Sequence, residues 1–257
     1  MTTGECRGKL SVIGIGPGEA RFLTPEAAAA LHEADALYGY IPYLDRVSVR
    51  DGQTRHASDN REELARAGAA LAHAATGAKV AMVSGGDPGV FAMAAAVIEA
   101  IEAGPPEWRA LELTIVPGIT AMLAVAARAG APLGHDFCAI SLSDNLKPWA
   151  MIERRLRLAA QAGFVMAFYN PVSKARPHQL DTAFDILREE LPASVPVIFG
   201  RAVGRADERL AVVTLSAARG DMADMATCII VGSPETRIVE RSGLPALVYT
   251  PRRSGGR

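Results

Sequence analysis

At 257 residues the chain is long enough for one large or two modest domains, and 49% hydrophobic residues supply a substantial core without disulfides. Its 27 basic and 28 acidic side chains leave a net charge of -1, which gives no global attraction to nucleic acid, and 5% aromatic residues argue against a base-stacking surface. Cys6, Cys138 and Cys228 are too dispersed for a disulfide framework, a zinc site or an iron–sulfur cluster, a pattern that fits a reducing, cytoplasmic compartment. The polar start runs into Arg7 and Lys9 with no apolar segment before them, so no signal peptide is expected. Leu10 to Ile15 reads as a buried β-branched strand. Thr24 predicts a helix N-cap, with Pro25 at the first position and Glu26 in the first turn of a helix to about Ala34. Ala36 to Tyr38 fits a second strand, and Asp59 is placed to cap a helix through Ala75 with Gly77 beyond its end. Val80 to Val83 reads as a strand, Val90 to Ala103 as a helix and Leu111 to Val116 as a strand. The apolar stretch from Ala78 to Ala103 contains Asp87, Pro88 and several glycines, too interrupted to span a bilayer.

This βαβαβαβ succession predicts a largely parallel sheet. After "PGITAMLAVAARAG", Pro117 to Gly130, the texture changes. Phe137 to Leu142, Gly163 to Phe168, Val195 to Phe199, Leu210 to Thr214 and Thr227 to Val231 read as strands; Trp149 to Ala160 and Gln179 to Glu190 read as helices. The short gap between the last two strands predicts some antiparallel pairing. The expected organisation is two α/β domains, residues 8–118 and 119–250, with a disordered tail from Thr250 to Arg257.

Apolar strands of the first domain end in "GIGPGE", "SGGDPGVF" and "VPGITA". Ligands of open α/β sheets bind outside the carboxyl ends of strands, and glycine lets backbone N–H groups approach them. Loop punctuation alone would use the same residues. Glu19 stands where a dinucleotide fingerprint needs its third glycine, no lysine lies in a P-loop pattern, and GxSxG and HExxH are absent. The histidines are scattered; His73, on an expected helix, reads as a surface or core residue.

"VIGIGPGE", "SGGDPGVF", "PGIT", "FYNP" and "IIVG", in that order over about Gly8 to Gly232, resemble the motifs of the tetrapyrrole methylases, the class III S-adenosylmethionine-dependent methyltransferases. "YGYIPYLD", "SLSDNLKPW" and "FYNPVSKARPHQL" resemble a corrinoid branch that methylates the macrocycle at ring D and contracts it, extruding the C20 meso carbon as an attached acetyl group. The resemblance implies the tetrapyrrole methylase fold, with two α/β domains, the active site in the cleft between them, and a homodimer. Uroporphyrinogen-III methyltransferases carry an acidic residue after the second strand; Gly39 stands near that place here, so no catalytic acid is carried over. Other readings are a sister methyltransferase acting at another carbon, diphthine synthase, or a module that only binds S-adenosylmethionine or a corrinoid.

The family match places Pro17, Gly85, Gly86, Asp87, Val90, Thr120 and Ala121 around S-adenosylmethionine, and further Tyr169, Ala226 and Thr227. For Asp87 and Thr120, helix capping is the structural alternative. Candidates for acid–base work in ring contraction are Tyr40, Ser84, Asp144 and Asn170; turn or capping duty explains each equally simply. The substrate carries many carboxylates, which arginine pairs in bidentate fashion. "GRAVGRADER" spaces Arg201, Arg205 and Arg209 four apart, giving one face if helical, although the flanking residues favour a loop and strand. A solvated arginine-rich surface is the other reading. No metal site is expected.

Overall fold

The computed structural model describes residues 8–59 and 62–253, and they form two compact units, residues 1–120 and 121–257 as the chain divides. The first unit runs β1 (Lys9–Gly14), α1 (Pro25–Glu33), β2 (Ala36–Tyr40), α2 (Ile41–Leu44), β3 (Thr54–Ser58), α3 (Glu63–Ala74), β4 (Lys79–Ser84), α4 (Met93–Ala103) and β5 (Glu112–Val116). Its strands form one sheet in the order β3-β2-β4-β1-β5, and every pairing is parallel. Alternation along β1 explains the double coverage. Leu10 and Val12 pack with Ala67, Leu71 and Val97 of α3 and α4, while Ile13 packs with Ala27 and Leu31 of α1.

The Thr24 cap is present: its Oγ1 accepts from the Ala27 N–H at 3.1 Å, a contact worth about 1 kcal/mol. Asp59 is not the cap of α3. That position is Glu62, whose carboxylate accepts from the Asp59 backbone N–H at 3.3 Å. The helix after the second glycine loop starts at Met93 rather than Val90, because the chain first completes a turn in which the Val90 N–H reaches the Asp87 carbonyl. β3 and α2 add to the succession read from sequence. β3 is an exposed edge strand whose residues carry no apolar periodicity.

The second unit contains α5 (Ala121–Ala129), β6 (Gly130–Ala131), β7 (Phe137–Ser141), α6 (Trp149–Gln161), β8 (Val165–Tyr169), α7 (Gln179–Glu190), β9 (Pro196–Arg201), β10 (Arg209–Thr214), β11 (Thr227–Val231), β12 (Arg237–Arg241) and β13 (Leu244–Tyr249). Its main sheet has the order β10-β9-β11-β8-β7. Antiparallel pairing occurs, but β10 and β11 each pair with β9 rather than with each other. Ile152, Leu156, Phe184 and Leu187 of α6 and α7 cover one face around Phe168, Phe199 and Ile229. On α5, Val125 packs against Gly200, where a Cβ would come within 2.2 Å of a valine methyl. A small sheet, β12-β13-β6, closes the unit. It overturns part of the disordered-tail expectation. Thr250 is buried, bonded to Thr236 Oγ1 at 2.8 Å and donating to the Pro132 carbonyl at 2.6 Å. Residues 254–257 of that tail, like Cys6, lie outside the described residues.

Candidate active site

β4, β1 and β5 are adjacent and parallel, so their three glycine loops leave the same edge of the sheet. The loops are joined through backbone. Gly16 and Gly86 exchange N–H···O bonds at 3.1 and 3.0 Å, and Ile15 N–H donates to the Ser84 carbonyl at 3.0 Å. Asp87 does not cap α4. One of its oxygens accepts from Gly89 N–H at 2.8 Å in an Asx turn, and the other from Gly118 N–H at 3.1 Å, tying the second loop to the third. Glycine is required for this approach: a Cβ on Gly118 would lie 2.2 Å from the Gly86 carbonyl oxygen, and Gly86 itself has φ +65°. Behind the first loop, one Nη of Arg46 donates to the carbonyls of Ile15, Gly16 and Gly18 at 3.2, 2.8 and 2.6 Å. Sequence reasoning missed Arg46, because its partners are main-chain oxygens.

Ser84 is buried at the end of β4, and Val90 is half-buried in the turn beyond it. Tyr40 ends β2 and meets the Tyr43 ring edge-on at 5.3 Å, and Tyr43 in turn fills the space beside Gly85, whose Cβ would be 2.6 Å from that ring. Pro17 lies within the first loop, and Thr120 is buried just after the third. Phe91 holds φ +53°, strain of about 1–3 kcal/mol in the same motif. His73 is part of a ring cluster: the Tyr38 hydroxyl and His73 Nδ1 are 3.2 Å apart, and Tyr38 stacks on His56 at 4.3 Å. Burial raises the Tyr38 phenol above its usual range.

In the second unit, β7 and β8 are parallel neighbours whose carboxyl ends carry a polar cluster. Asn170 follows Tyr169 at φ +51°, a conformation asparagine tolerates better than most residues, and donates to Ser141 Oγ at 3.0 Å. Arg176 is buried; it donates to the Asn170 carbonyl at 3.2 Å and faces Asp144 at 3.8 Å. Gln179 donates to Asp144 at 3.5 Å, while its own carbonyl oxygen is buried with no hydrogen-bond partner. The structure thus brings Asp144 and Asn170 together around an arginine to which the sequence reading gave no role. Tyr169 Oη accepts from the Met122 N–H at 3.0 Å, in the first turn of α5, which begins at Ala121.

Ala226 and Thr227 sit on a second scaffold. Asp224 accepts from Ala226 N–H at 2.9 Å and from Thr227 Oγ1 at 2.8 Å, and Arg201 donates to Asp224 at 2.7 Å. Burial opposes the charge on Asp224, but the bonds from Thr227, Arg201 and Ala226 outweigh it and hold the carboxyl below its usual range. Arg201 also pairs with Asp207 at 2.7 Å, so its guanidinium faces two carboxylates of its own chain. The shared helical face of the arginines does not form. Arg201 ends β9, Arg205 lies exposed in the turn, and Arg209 opens β10 opposite Arg201. Cys138 and Cys228 are free thiols; burial pushes Cys228 up to about 12 and raises Cys138. Among the described residues, no helix is long and apolar enough to cross a membrane.

Residues 9–219 match the model of the Tetrapyrrole (Corrin/Porphyrin) Methylases. A Sinorhizobium protein named precorrin-3B C(17)-methyltransferase is 70% identical over 95% of this chain and 96% of its own length. A Salmonella typhimurium protein named probable cobalt-factor III C(17)-methyltransferase is 39% identical over 95% and 98%. Against the Mycobacterium tuberculosis protein CobIJ, 45% identical, the chain covers 48% of the relative's length. A crystal structure of the methyltransferase CobJ superposes with TM-score 0.91 at 55% identity, covering 95% of this chain and 100% of that one. The fold alone is shared with Thermus thermophilus uroporphyrin-III C-methyl transferase, at TM-score 0.64, 21% identity and coverage of 88% and 97%. With most of its length matched by the family model and a close relative aligned end to end, the chain belongs to the tetrapyrrole methylases.

Proposed function

We propose that the protein transfers a methyl group from S-adenosylmethionine to C17 of precorrin-3B and contracts the macrocycle to precorrin-4, in cobalamin biosynthesis. The observation that carries this reading is the 70% identity to a precorrin-3B C(17)-methyltransferase over nearly the whole of both chains. The 39% identity to a cobalt-factor III enzyme is lower, which favours the metal-free substrate.

The residues of the first unit fit the cofactor. Its joined loops present backbone rather than long side chains, as a bound carboxylate and ammonium require, and Gly86 takes a backbone conformation that glycine favours. S-adenosylmethionine supplies an already activated methyl on its sulfonium. In the first unit Pro17, Gly85, Gly86, Asp87, Val90 and Thr120 are the candidates to hold it; in the second the candidates are Ala121, Tyr169, Ala226 and Thr227. Holding the methyl in line with the acceptor carbon is worth roughly 7–11 kcal/mol of barrier. Ring contraction further needs a tertiary hydroxyl to lose a proton while a lactone carboxylate departs. Tyr40, Ser84, Asp144 and Asn170 are the candidates, and one general acid–base group contributes about 10²–10⁴-fold. Arg176 orients Asp144 and Asn170. Arg201 and Arg205 are the candidate arginines for a substrate carboxylate, and Arg201 also holds Asp207 and Asp224.

We read the protein as a cytoplasmic homodimer, on the strength of its thiol usage and family resemblance. The activity test offers the protein S-adenosylmethionine with either precorrin-3B or cobalt-factor III and follows both products by mass spectrometry. Preferential turnover of precorrin-3B, with one S-adenosylhomocysteine per macrocycle, is expected. Turnover of the cobalt substrate alone would refute the metal-free assignment, and turnover of neither would refute the activity.

A further inference from the structure

The first unit holds a cavity of about 240 Å³ between the GIGPGE loop, α1 and the segment that follows α2. Its volume lies below the roughly 300–1,000 Å³ of ordinary ligand clefts, so a tetrapyrrole is not accommodated. Ile15, Leu23, Ala28, Leu31 and Val47 make one side apolar. The polar side carries His32, Arg46 and Ser48, and no carboxylate is among the described residues that line the cavity. Two further polar residues there are already committed. Arg50 donates to the His32 and Ala34 carbonyls at 2.7 and 2.9 Å, and Gln53 to those of Leu31 and Ala34 at 2.9 and 2.8 Å, closing the end of α1. The His32 imidazole and Ser48 hydroxyl have no hydrogen bond to any described residue.

We propose that this cavity binds a small monocarboxylate with a short apolar body, distinct from cofactor and substrate. The apolar body rests on Leu31 and Val47, and the carboxylate meets His32, Ser48 and the Arg46 guanidinium. The Arg46 charge, with further polar groups in His32 and Ser48 and no carboxylate in the described lining, selects an anion, and the limited volume selects a compact tail. Occupancy is coupled to the GIGPGE loop, because the Arg46 guanidinium that meets the ligand also holds the carbonyls of Ile15, Gly16 and Gly18. A carboxylate competes with those carbonyls through stronger, charge-assisted bonds, so it loosens the loop and weakens binding there, and the effect is reciprocal. This coupling rests on the cofactor role proposed for that loop; the carboxylate site does not.

The test titrates hexanoate, and separately neutral hexanamide, into the full-length protein while the methyl resonances of Ile15, Leu23, Leu31 and Val47 are followed by NMR. Hexanoate is expected to shift them with a Kd of about 1 mM, and hexanamide to bind about tenfold more weakly. Ala28→Phe, on an exposed position of α1, fills the cavity and should abolish the shifts. His32→Ala should weaken hexanoate while leaving hexanamide unchanged, which keeps the test decisive if the first variant fails to fold. Unmoved methyls, equal affinity for the amide, or an unaffected Ala28→Phe variant would overturn the site. Saturating hexanoate should lower S-adenosylhomocysteine affinity several-fold; unchanged affinity alongside shifted methyls would overturn the coupling alone.

Discussion

Asp87 shows how one side chain can join two loops. Its two oxygens hold Gly89 and Gly118, so Asp87→Ala leaves two loop amides unanswered and should cost about 1–3 kcal/mol of stability while lowering S-adenosylhomocysteine affinity. Urea denaturation and calorimetry check both; an unchanged midpoint and affinity would remove Asp87 from the loop scaffold. Tyr40 and Asp144 lie in stretches that resemble the corrinoid branch rather than in the loops proposed to hold the cofactor. Tyr40→Phe and Asp144→Asn are therefore expected to bind S-adenosylhomocysteine normally but form contracted product more slowly in single turnover. Wild-type rates in both variants would exclude them. Asp224 adds a pH dependence. Its folded carboxyl lies below the usual range, so its contribution is present above that range and is lost as pH falls through the depressed value. Asp224→Asn should lower stability at neutral pH and flatten its decline towards acid, as read by urea denaturation across pH; an unchanged profile would contradict this. Asp87 stood out in the sequence because it sits inside a motif, but its bond to Gly118 did not, because that contact joins two loops only after folding. Arg46 and Arg176 did not stand out, because they bond to carbonyls whose positions exist only after folding.

The glycine loops act as one assembled element rather than as three flexible connections. Gly118→Ala would place a methyl 2.2 Å from the Gly86 carbonyl oxygen, and overpacking of this kind costs about 1–3 kcal/mol. Gly86→Val meets a different obstacle, its φ of +65°, and should sharply weaken S-adenosylhomocysteine binding in a variant that still folds. Calorimetric affinity equal to wild type in folded Gly86→Val would contradict the placement of the cofactor. Elements with an apolar rhythm or a sequence cap were legible. α1 begins at the Thr24 cap, α7 runs from Gln179 to Glu190 as read, and β11 from Thr227 to Val231. β3 and the β12–β13 pair escaped notice because their largely exposed residues, such as those of "TRHAS" and "RIVER", bury no periodic face. The arginines of "GRAVGRADER" form a strand end, a turn and a strand start, the loop and strand that their β-branched flank favoured over a helical face.

Each unit carries its own core and its own strand-end cluster: glycine loops in the first, and in the second a buried arginine with Asn170 and Asp144. The proposed division of labour follows, with cofactor loops concentrated in the first unit and the Asp144–Asn170–Arg176 cluster in the second. The homodimer is tested by light scattering, which should return about twice 27.0 kDa; a mass of one chain at all concentrations would contradict it. The central claim is the pairing of methylation with ring contraction on one macrocycle. Carbon-13 NMR of the product formed from precorrin-3B and methyl-labelled S-adenosylmethionine tests it most directly. The label should appear on C17 of a contracted ring that bears an acetyl group derived from C20. A label at another carbon, or a product whose ring keeps C20 within the macrocycle, would contradict the account.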